Sequence, residues 1–324
     1  GGMRNMALYT GAKSSLKLGV ETAFGSQATL KYKIPFTSES LNYTLETIRS
    51  EALLGLRGTK SLAPGKIGAS GSVSLEMYPS AIGVLFYLAL GKATQNGDHT
   101  LIEPIGVQDD LPSATIEVSH AGEKFLFLGQ KVNNLSMTAN VDSIANLTVD
   151  FVGKKAITGG GTDATTDDMV EIDNDPFFFK ELTLYTDAGL MIKANNMSEI
   201  TLNIANNLNE DDYRLDGTGE RATLEPGALE ITGSLNIIFD ETLLNGKYKD
   251  FVEFNDVVIG AKFEKASGEK FTIVLPRVKL TNLTHDIDGP GTITVSADYE
   301  AVLNSAGKII QVKDYTIVVT DGSY

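Results

Sequence analysis

The most constraining feature of this sequence is that it repeats itself at half its length. The stretch "PGKIGASGSVSLEM" at residues 64–77 has a counterpart, "PGALEITGSLNIIF", at residues 226–239. Both place Gly-Ser at the same distance after Pro-Gly and continue with apolar residues at every second position. The corresponding positions are separated by half the length of the chain, namely Pro64 and Pro226, Gly65 and Gly227, Gly71 and Gly233, Ser72 and Ser234. This repeat predicts two related halves, each able to close its own core.

Most segments of both halves alternate apolar and polar residues, as in "LNYTLETI", "GSVSLEMY" and "GSLNIIFD". A period of two predicts half-buried strands, and turn residues at short intervals favour antiparallel sheets. Further strands are predicted at residues 115–119, 124–128, 135–141, 147–152, 181–185, 200–205, 257–264, 271–275, 278–284 and 292–299.

One helix is predicted directly after the repeated strand in each half. "PSAIGVLFYLALG" has Pro79 in its first turn, apolar residues on nearly all sides and Gly91 as its stop. "DETLLNGKYKDFVEFN" begins with the capping residues Asp240 and Thr242, and it places Leu244, Tyr248 and Phe251 on one face. The fold class predicted is mainly β, with one short helix in each of two tandem, duplicated domains.

Further matches give the domain boundaries. "AGEKF" at residues 121–125 corresponds to "SGEKF" at 267–271, and the pattern from Asn134 corresponds to that from Asn282. The offsets of these two matches are shorter than half the chain length, so the first half has residues that the second half largely lacks. We place these extra residues at 92–114 and interpret them as a loop. The stretch 153–176 is rich in Gly, Thr and Asp and is typical of an exposed linker. We therefore predict a first domain at residues 1–158, an acidic linker at 159–176 and a second domain at 177–324.

Composition and charge exclude several classes of protein. The chain has no cysteine, so disulfides, thiolate chemistry and zinc–sulfur sites are absent. No secretory leader is recognisable, and the longest apolar run, residues 81–90, is too short to cross a bilayer; we expect a soluble protein made in a reducing cytoplasm. Residues 1–162 carry 14 basic and 13 acidic residues and the remainder carry 13 and 29, so the charge of −15 belongs to the second half. This pattern disfavours affinity for DNA.

The residues offer little support for an enzyme, a cofactor site or a metal site. His99, His120 and His285 fall in no metal-ligand or nucleophile motif. "GTGERA" at residues 217–222 resembles a dinucleotide fingerprint by its letters, yet it neither follows a hydrophobic strand nor begins a helix. "DYRLDGTGERAT" at residues 212–223 lacks the ligands of an EF-hand loop, since Arg214 and Thr223 occupy ligand positions. The acidic stretch "DATTDDMVEIDND" reads as a solvated linker with, at most, loose cation binding, and the aromatic run at residues 177–179 reads as core.

A family resemblance is carried by the first 90 residues. "VETAFG", "IPFTSESL" followed by "RSEALLG", and the Gly-rich turn into a strand and a helix ending in "LALG" resemble the tail tube proteins, or major tail proteins, of long-tailed phages and prophages. The resemblance implies a β-sandwich-like or barrel-like domain with one flanking helix, in rings that stack into a tube carrying DNA. The duplicated order of elements resembles the variant in which three chains make a pseudo-sixfold ring.

The resemblance also implies partners and a location. The chain is expected to assemble with itself, with a tape-measure protein and with a tail-tip initiator, in the virion tail after synthesis in the host cytoplasm. DNA is expected to pass through the lumen without specific binding, and the acidic excess is expected to line that lumen, where it repels phosphate. Open sheet edges of single chains would be satisfied by pairing around the ring.

Two long connections are the predicted ring-stacking loops. Residues 50–65 and 207–227 stand at equivalent places, and loops of such length are uncommon unless they bind something. We expect both to be flexible in the single chain and to become ordered on stacking. The candidate stacking residues are Glu51, Arg57, Lys60, Asp211, Asp212, Arg214 and Arg221.

Two other functions remain as alternatives. A duplicated β-sandwich adhesin or carbohydrate-binding module would also be acidic, but the absence of tryptophan removes the residue best suited to stacking on sugars. A related injection tube, such as the type VI secretion ring protein, shares the implied fold but is usually a shorter single domain.

Overall fold

The chain forms a mainly β structure with two short helices in its described part. The computed structural model describes residues 11–52, 57–106, 109–120, 122–158, 164, 166–172, 174–238, 246–285 and 292–316. The helices are α1 (Pro79–Leu90) and α2 (Lys247–Val252), and 3₁₀ turns span Gly11–Lys13 and Phe179–Glu181.

The strands of the first half and of the predicted linker are β1 (Ser15–Val20), β2 (Leu30–Ile34), β3 (Ser38–Glu39), β4 (Asn42–Arg49), β5 (Leu62–Glu76), β6 (Gly91–Asn96), β7 (His99–Pro104), β8 (Ala114–His120), β9 (Glu123–Asn140), β10 (Asn146–Gly153), β11 (Lys155–Thr158) and β12 (Thr166–Glu171). The strands of the second half are β13 (Leu182–Tyr185), β14 (Met197–Ala205), β15 (Glu230–Ile238), β16 (Val257–Glu264), β17 (Lys270–His285), β18 (Thr294–Ala301) and β19 (Gln311–Asp314).

Helix α1 has the limits predicted from its sequence. Pro79 occupies the first turn, where its missing N–H costs nothing, and the chain leaves the helix at Gly91 with φ of 91°. Helix α2 spans six residues of the stretch predicted to be helical, and its predicted caps Asp240 and Thr242 lie outside the described residues.

Eight antiparallel strands of the described chain form one long sheet, called here the main sheet. Its order is β4, β5, β10, β9, β14, β15, β18, β17, and β3 extends the line of β4 along β5. The pairing of β9 with β14 joins the two halves, so the sheet runs without interruption from one half to the other.

A second layer of strands packs over one face of the main sheet. In the first half, β8 pairs with β1, β1 with β2, and β2 with β12, which runs parallel to it. Over the second half, β16 pairs with β13. The β6–β7 hairpin, which comes from the first half of the sequence, pairs with β19, and β19 pairs with β17. The long strands β9 and β17 belong to both layers, because the first part of each pairs with one set of partners and the second part with another, with a bulge near the change at 128–129 and 276–277. The predicted β-sandwich is confirmed.

The core fills the space between the layers with alternating residues. Val73, Leu75, Leu147, Val149 and Phe151 point inward from neighbouring strands of the main sheet and are buried. One continuous cluster extends across both halves. Helix α1, from the first half, also packs against the second half, since the ring centroid of Phe86 lies 5.2 Å from that of Phe271 on β17.

Three stretches interpreted as loops contain regular structure. Residues 92–114 include the β6–β7 hairpin, which turns at Gly97 and Asp98 with φ of 67° at the glycine. A Gly-Asp pair is a hairpin turn signal, so the prediction of a loop here was wrong. Residues 50–65 include the start of β5, whose pairing with β4 continues to Arg49 and Leu62. The linker stretch contains β11 and β12 in its described part, and both pair with first-half strands.

The same backbone contacts recur in both halves of the main sheet. Asn134 pairs with Asp150 and Asp150 with Ser72; Asn282 pairs with Asp298 and Asp298 with Ser234. The N–H of Ser72 donates to Oγ of Ser40 at 2.9 Å, and the N–H of Ser234 donates to Oγ1 of Thr201 at 2.8 Å. The bulges of β9 and β17 occupy equivalent places, each one position before its asparagine.

The glycines of the repeated motif have a steric reason. A Cβ on Gly71 would lie well under 3.0 Å from the carbonyl oxygen of Ser40, and one on Gly233 would clash in the same way with that of Thr201. Gly233 also leaves room for Tyr299, whose hydroxyl donates to the Thr201 carbonyl at 2.6 Å. These glycines therefore allow adjacent strands to approach closely.

Candidate functional site: an uncovered sheet face and two open edges

The second face of the main sheet is mostly polar. Side chains at alternate positions point away from the core, and the strand registers place them on this one face, called here the polar face. Its members are Ser38, Ser40, Asn42, Thr44, Ser70, Ser72, Ser74, Glu76, Asn134, Ser136, Thr138, Asn140, Asn146, Thr148, Asp150, Glu199, Thr201, Asn203, Ala205, Glu230, Thr232, Ser234, Asn236, Ile238, Asn282, Thr284, Thr294, Ser296, Asp298 and Glu300.

Charge on the polar face is mainly negative. Two lysines share this face: Lys279, directly opposite Glu300, and Lys66, two positions before Gly68 on β5. The members named above carry six carboxylates, those of Glu76, Asp150, Glu199, Glu230, Asp298 and Glu300. Neutral groups satisfy several of them. Oγ of Ser72 donates to Asp150 at 2.5 Å, Nδ2 of Asn282 donates to Asp298 at 3.0 Å, and Nδ2 of Asn236 donates to Glu199 at 2.6 Å. Neutral donors hold a carboxylate in place without cancelling its charge, so the face presents a negative potential.

The main sheet ends in two open edges within the described chain. The first is the outer side of β4, which pairs with β5 on its inner side. The second is the outer side of residues 279–285 of β17, which pair with β18 on their inner side. An unpaired strand edge presents N–H and C=O groups to whatever strand can reach it. The two edges are at opposite ends of the eight-strand order and belong to different halves.

Apolar side chains are exposed beside each open edge. On β4, Tyr43, Leu45 and Ile48 lie on the face opposite the polar face, and they are 43%, 47% and 62% exposed. At the C-terminal end of α2 and just beyond it, near β17, Val252 and Phe254 are 65% and 59% exposed. The backbone of Phe254 is tied to β17, because Nζ of Lys279 donates to its carbonyl at 2.5 Å.

The predicted stacking residues of the second loop are anchored to the sheet end to different degrees. Arg221 is buried: its guanidinium donates to the Gly153 carbonyl at 2.7 Å and to the Glu210 carboxylate at 3.2 Å. Asp211 accepts from Nζ of Lys66 on β5 at 3.1 Å. Arg214 is exposed and pairs with Asp212 at 3.0 Å; that hydrogen bond holds the pKa of the Asp212 carboxyl below its usual value.

Lys131, which was not among the predicted site residues, also holds loop 207–227 in place. Lys131 on β9 is buried, and its ammonium donates to Asp110 at 2.5 Å and to the Leu224 carbonyl at 2.9 Å. Burial lowers the pKa of this ammonium, and the Asp110 carboxylate opposes that shift. Loop 207–227, which belongs to the second half by sequence, is thus bound to the first half.

The predicted stacking residues of the first loop lie at the end of the β4–β5 hairpin. Glu51, Arg57 and Lys60 are exposed there, and residues 53–56 between them are outside the described part of the chain. The hairpin and loop 207–227 meet at the same end of the main sheet, where the N–H of Ile67 donates to the Gly219 carbonyl at 2.7 Å.

The motif "VETAFG", which contributes to the family resemblance, contains a carboxylate that stabilises the interior. The Glu21 carboxylate of "VETAFG" is buried and accepts hydrogen bonds from the Ser113 hydroxyl at 2.6 Å, the Thr115 hydroxyl at 2.9 Å and the N–H groups of Gly25 and Gly129 at 2.8 Å each. Four donors explain why a carboxylate is tolerated in this interior.

The described part of the chain contains neither a metal-binding cluster nor a membrane-spanning helix. Across the described ranges, no three His, Asp or Glu side chains come together in a way that would hold a metal ion. None of the helices described is long and apolar enough to cross a bilayer. In the aromatic run, Phe177 is buried as predicted, whereas Phe178 is 38% exposed.

The part of the chain that forms this site matches a known protein family. A family model described as "Phage tail tube protein" matches residues 11–301. That range includes every strand of the main sheet and both open edges. Among curated proteins, no match was found.

Proposed function

This chain belongs to the phage tail tube protein family, and from that premise we propose that three copies close into a ring through their open sheet edges and that the rings stack into a DNA-conducting tube. The protein is a structural component of the virion tail that assembles with itself into the tail tube. The family implies a structural role and not a catalytic one.

The pairing of β9 with β14 is the observation that carries the proposal. It joins the two halves of one chain strand to strand, and the remaining edges on β4 and β17 face outward at the two ends of the sheet. Joining the β17 edge of one copy to the β4 edge of the next would continue the sheet in the same sense. Because the two edges differ, the contact is head to tail, and it leaves no edge only when the ring closes.

Three copies follow from treating each half as one tube module. The recurrence of the Asn–Asp–Ser pairing and of the close glycine contacts in both halves supports a duplicated module. Three chains would then supply six modules and a closed sheet of about 24 strands, three times the eight of one chain.

The polar face would line the lumen. Closure of the ring turns one face of the main sheet inward, and the opposite face is already occupied by the second layer of strands and by α1. Six carboxylates per chain outnumber the lysines on this face, Lys66 and Lys279, and would repel the phosphates of DNA, so that DNA slides without binding.

Stacking would use the end of the sheet where the β4–β5 hairpin meets loop 207–227. Arg57, Lys60 and Arg214 are exposed there and would become protected on stacking; buried Arg221 would fix the loop instead. Chains would remain unassembled in the host cytoplasm until a tape-measure protein and a tail-tip initiator provide the first surface.

Electron microscopy of the concentrated protein tests the proposal directly. Hollow tubes or stacked rings are the expected result, with trypsin cutting at Arg57, Lys60 or Arg214 in single chains and sparing these sites in tubes. A protein that remains monomeric at all concentrations, under conditions where its fold is intact, would reject it.

A further inference from the structure

We infer that the joint between neighbouring copies has a defined register, with Thr44 opposite Asn282, Tyr43 opposite Leu283 and Asn42 opposite Thr284, and that Leu45 packs against the C-terminal end of the next copy's α2. This inference rests on the proposed ring. It assumes that β17 of one copy and β4 of the next pair in the same register as β9 and β14 do inside one chain.

The joint inside the chain gives the register. In it, Ala205 lies opposite Asn134, Ile204 opposite Leu135 and Asn203 opposite Ser136. These pairs give the β9–β14 contact that the open edges of β4 and β17 would reproduce.

The strand of each open edge can be aligned with its internal counterpart by its paired neighbour. Asn134 and Asn282 each lie opposite an aspartate, Asp150 and Asp298, directly after a bulge. This aligns β17 with β9, so that Asn282 corresponds to Asn134 and Thr284 to Ser136.

The alignment of β4 with β14 follows in the same way from their shared neighbour. Thr44 lies opposite Gly68 on β5, and Ala205 lies opposite Glu230 on β15. Gly68 and Glu230 are separated by half the chain length, as the repeated glycines are, so Thr44 corresponds to Ala205. Applying both alignments to the internal pair of Asn134 and Ala205 gives Asn282 opposite Thr44.

The same comparison predicts a side-chain contact for Leu45. Its counterpart, Asn206, is buried and donates from Nδ2 to the carbonyls of Ala89 and Val132, both at 2.9 Å. Ala89 lies in the last turn of α1. The position after Thr44 should therefore meet the last turn of the corresponding helix, α2, in the next copy.

The residues present at both surfaces suit that contact. Helices α1 and α2 end at Leu90 and Val252, which are again separated by half the chain length. Where Asn206 bonds to backbone, Leu45 offers an apolar side chain, and the surface it would meet carries the exposed Val252 and Phe254. A second copy of this chain is thus the occupant that both exposed apolar patches fit, since each would cover the other as the ladder forms.

Engineered cysteines test the register cleanly because the chain has none of its own. Directly opposed residues have Cβ atoms about 4.5–5.5 Å apart, within easy adjustment of a disulfide, whereas a shift of two positions separates them by about 7–8 Å. The in-register pairs are Thr44→Cys with Asn282→Cys and Asn42→Cys with Thr284→Cys. The shifted control is Thr44→Cys with Thr284→Cys.

Each variant is assembled into tubes, oxidised, and separated on a denaturing gel without reductant. We expect the in-register pairs to convert most of the chain to species of twice and three times its mass, and the shifted pair to convert at least fivefold less. Tubes in which both in-register pairs remain uncross-linked, or in which the shifted pair cross-links best, would overturn the register and leave the tube proposal intact. Failure of the unmodified protein to form tubes would instead reject the proposed function.

Discussion

Replacing Leu45 by threonine should weaken ring closure while leaving the single chain folded. The side chain is 47% exposed in the chain alone, and β4 around it is exposed on both faces, so no core contact depends on it. Threonine keeps the preference for strand structure and removes most of the apolar surface. The perturbation therefore acts on the contact with α2 of the next copy.

The size of the effect follows from the exposed fraction. Complete burial of a leucine is worth about 1.5–3 kcal/mol, and roughly half of that remains to be gained at the joint, or about 1 kcal/mol. A ring of three copies contains three such joints, so the loss approaches about 3 kcal/mol, a factor of roughly 100 in the equilibrium constant for a closed ring.

Mass photometry over a concentration series measures this directly as the fraction of closed rings. The matched control is Met191→Thr, since Met191 is 86% exposed and lies between β13 and β14, away from both open edges. Equal assembly of the Leu45 variant and the unmodified protein would refute the reasoning, and so would equal weakening by the control.

Three further predictions test separate parts of the structure. Gly233→Ala should lower the free energy of unfolding by about 1–3 kcal/mol, because its Cβ would meet a backbone oxygen, whereas Gly58→Ala, with open space around it, should not; urea denaturation compares them, and equal midpoints would contradict the close-approach argument. Glu199→Lys combined with Glu230→Lys should make tubes retain short duplex DNA at low salt and release it at high salt; retention no greater than by the unmodified tubes would count against a lumen lined by the polar face. Burial raises the pKa of the Tyr299 phenol above its usual value near 10, so the unfolded chain loses this proton first and stability should fall above pH 10; Tyr299→Phe should flatten that fall, and an unchanged alkaline profile would argue against the buried phenol as a cause.

The sequence predicted the elements whose pattern is local. Period-two alternation located β8, β10, β14 and β16 within a few residues, and proline and glycine marked both ends of α1. Two predicted pairs of strands proved to be single long strands, β9 and β17, because a bulge can bend a strand between layers without ending it. Pro276 inside β17 marks such a place.

Elements that depend on distant partners were not visible in the sequence. The strand β12 has an acidic sequence within a Gly-, Thr- and Asp-rich stretch typical of a linker, and it is a strand because β2 offers an edge beside it. The role of Arg221 was also hidden, since the Gly153 carbonyl that binds it is 68 residues away. The polar face needed the strand registers, because alternation alone does not say which strands are neighbours.

The symmetry of an assembled ring, determined by electron cryomicroscopy, tests the central claim most directly. The account predicts threefold symmetry with two similar lobes per chain, β4 of each copy paired with β17 of the next, and the face carrying Glu199 and Asp298 turned toward the lumen. A ring of six chains, or a closed ring in which the β4 and β17 edges remain unpaired, would contradict it.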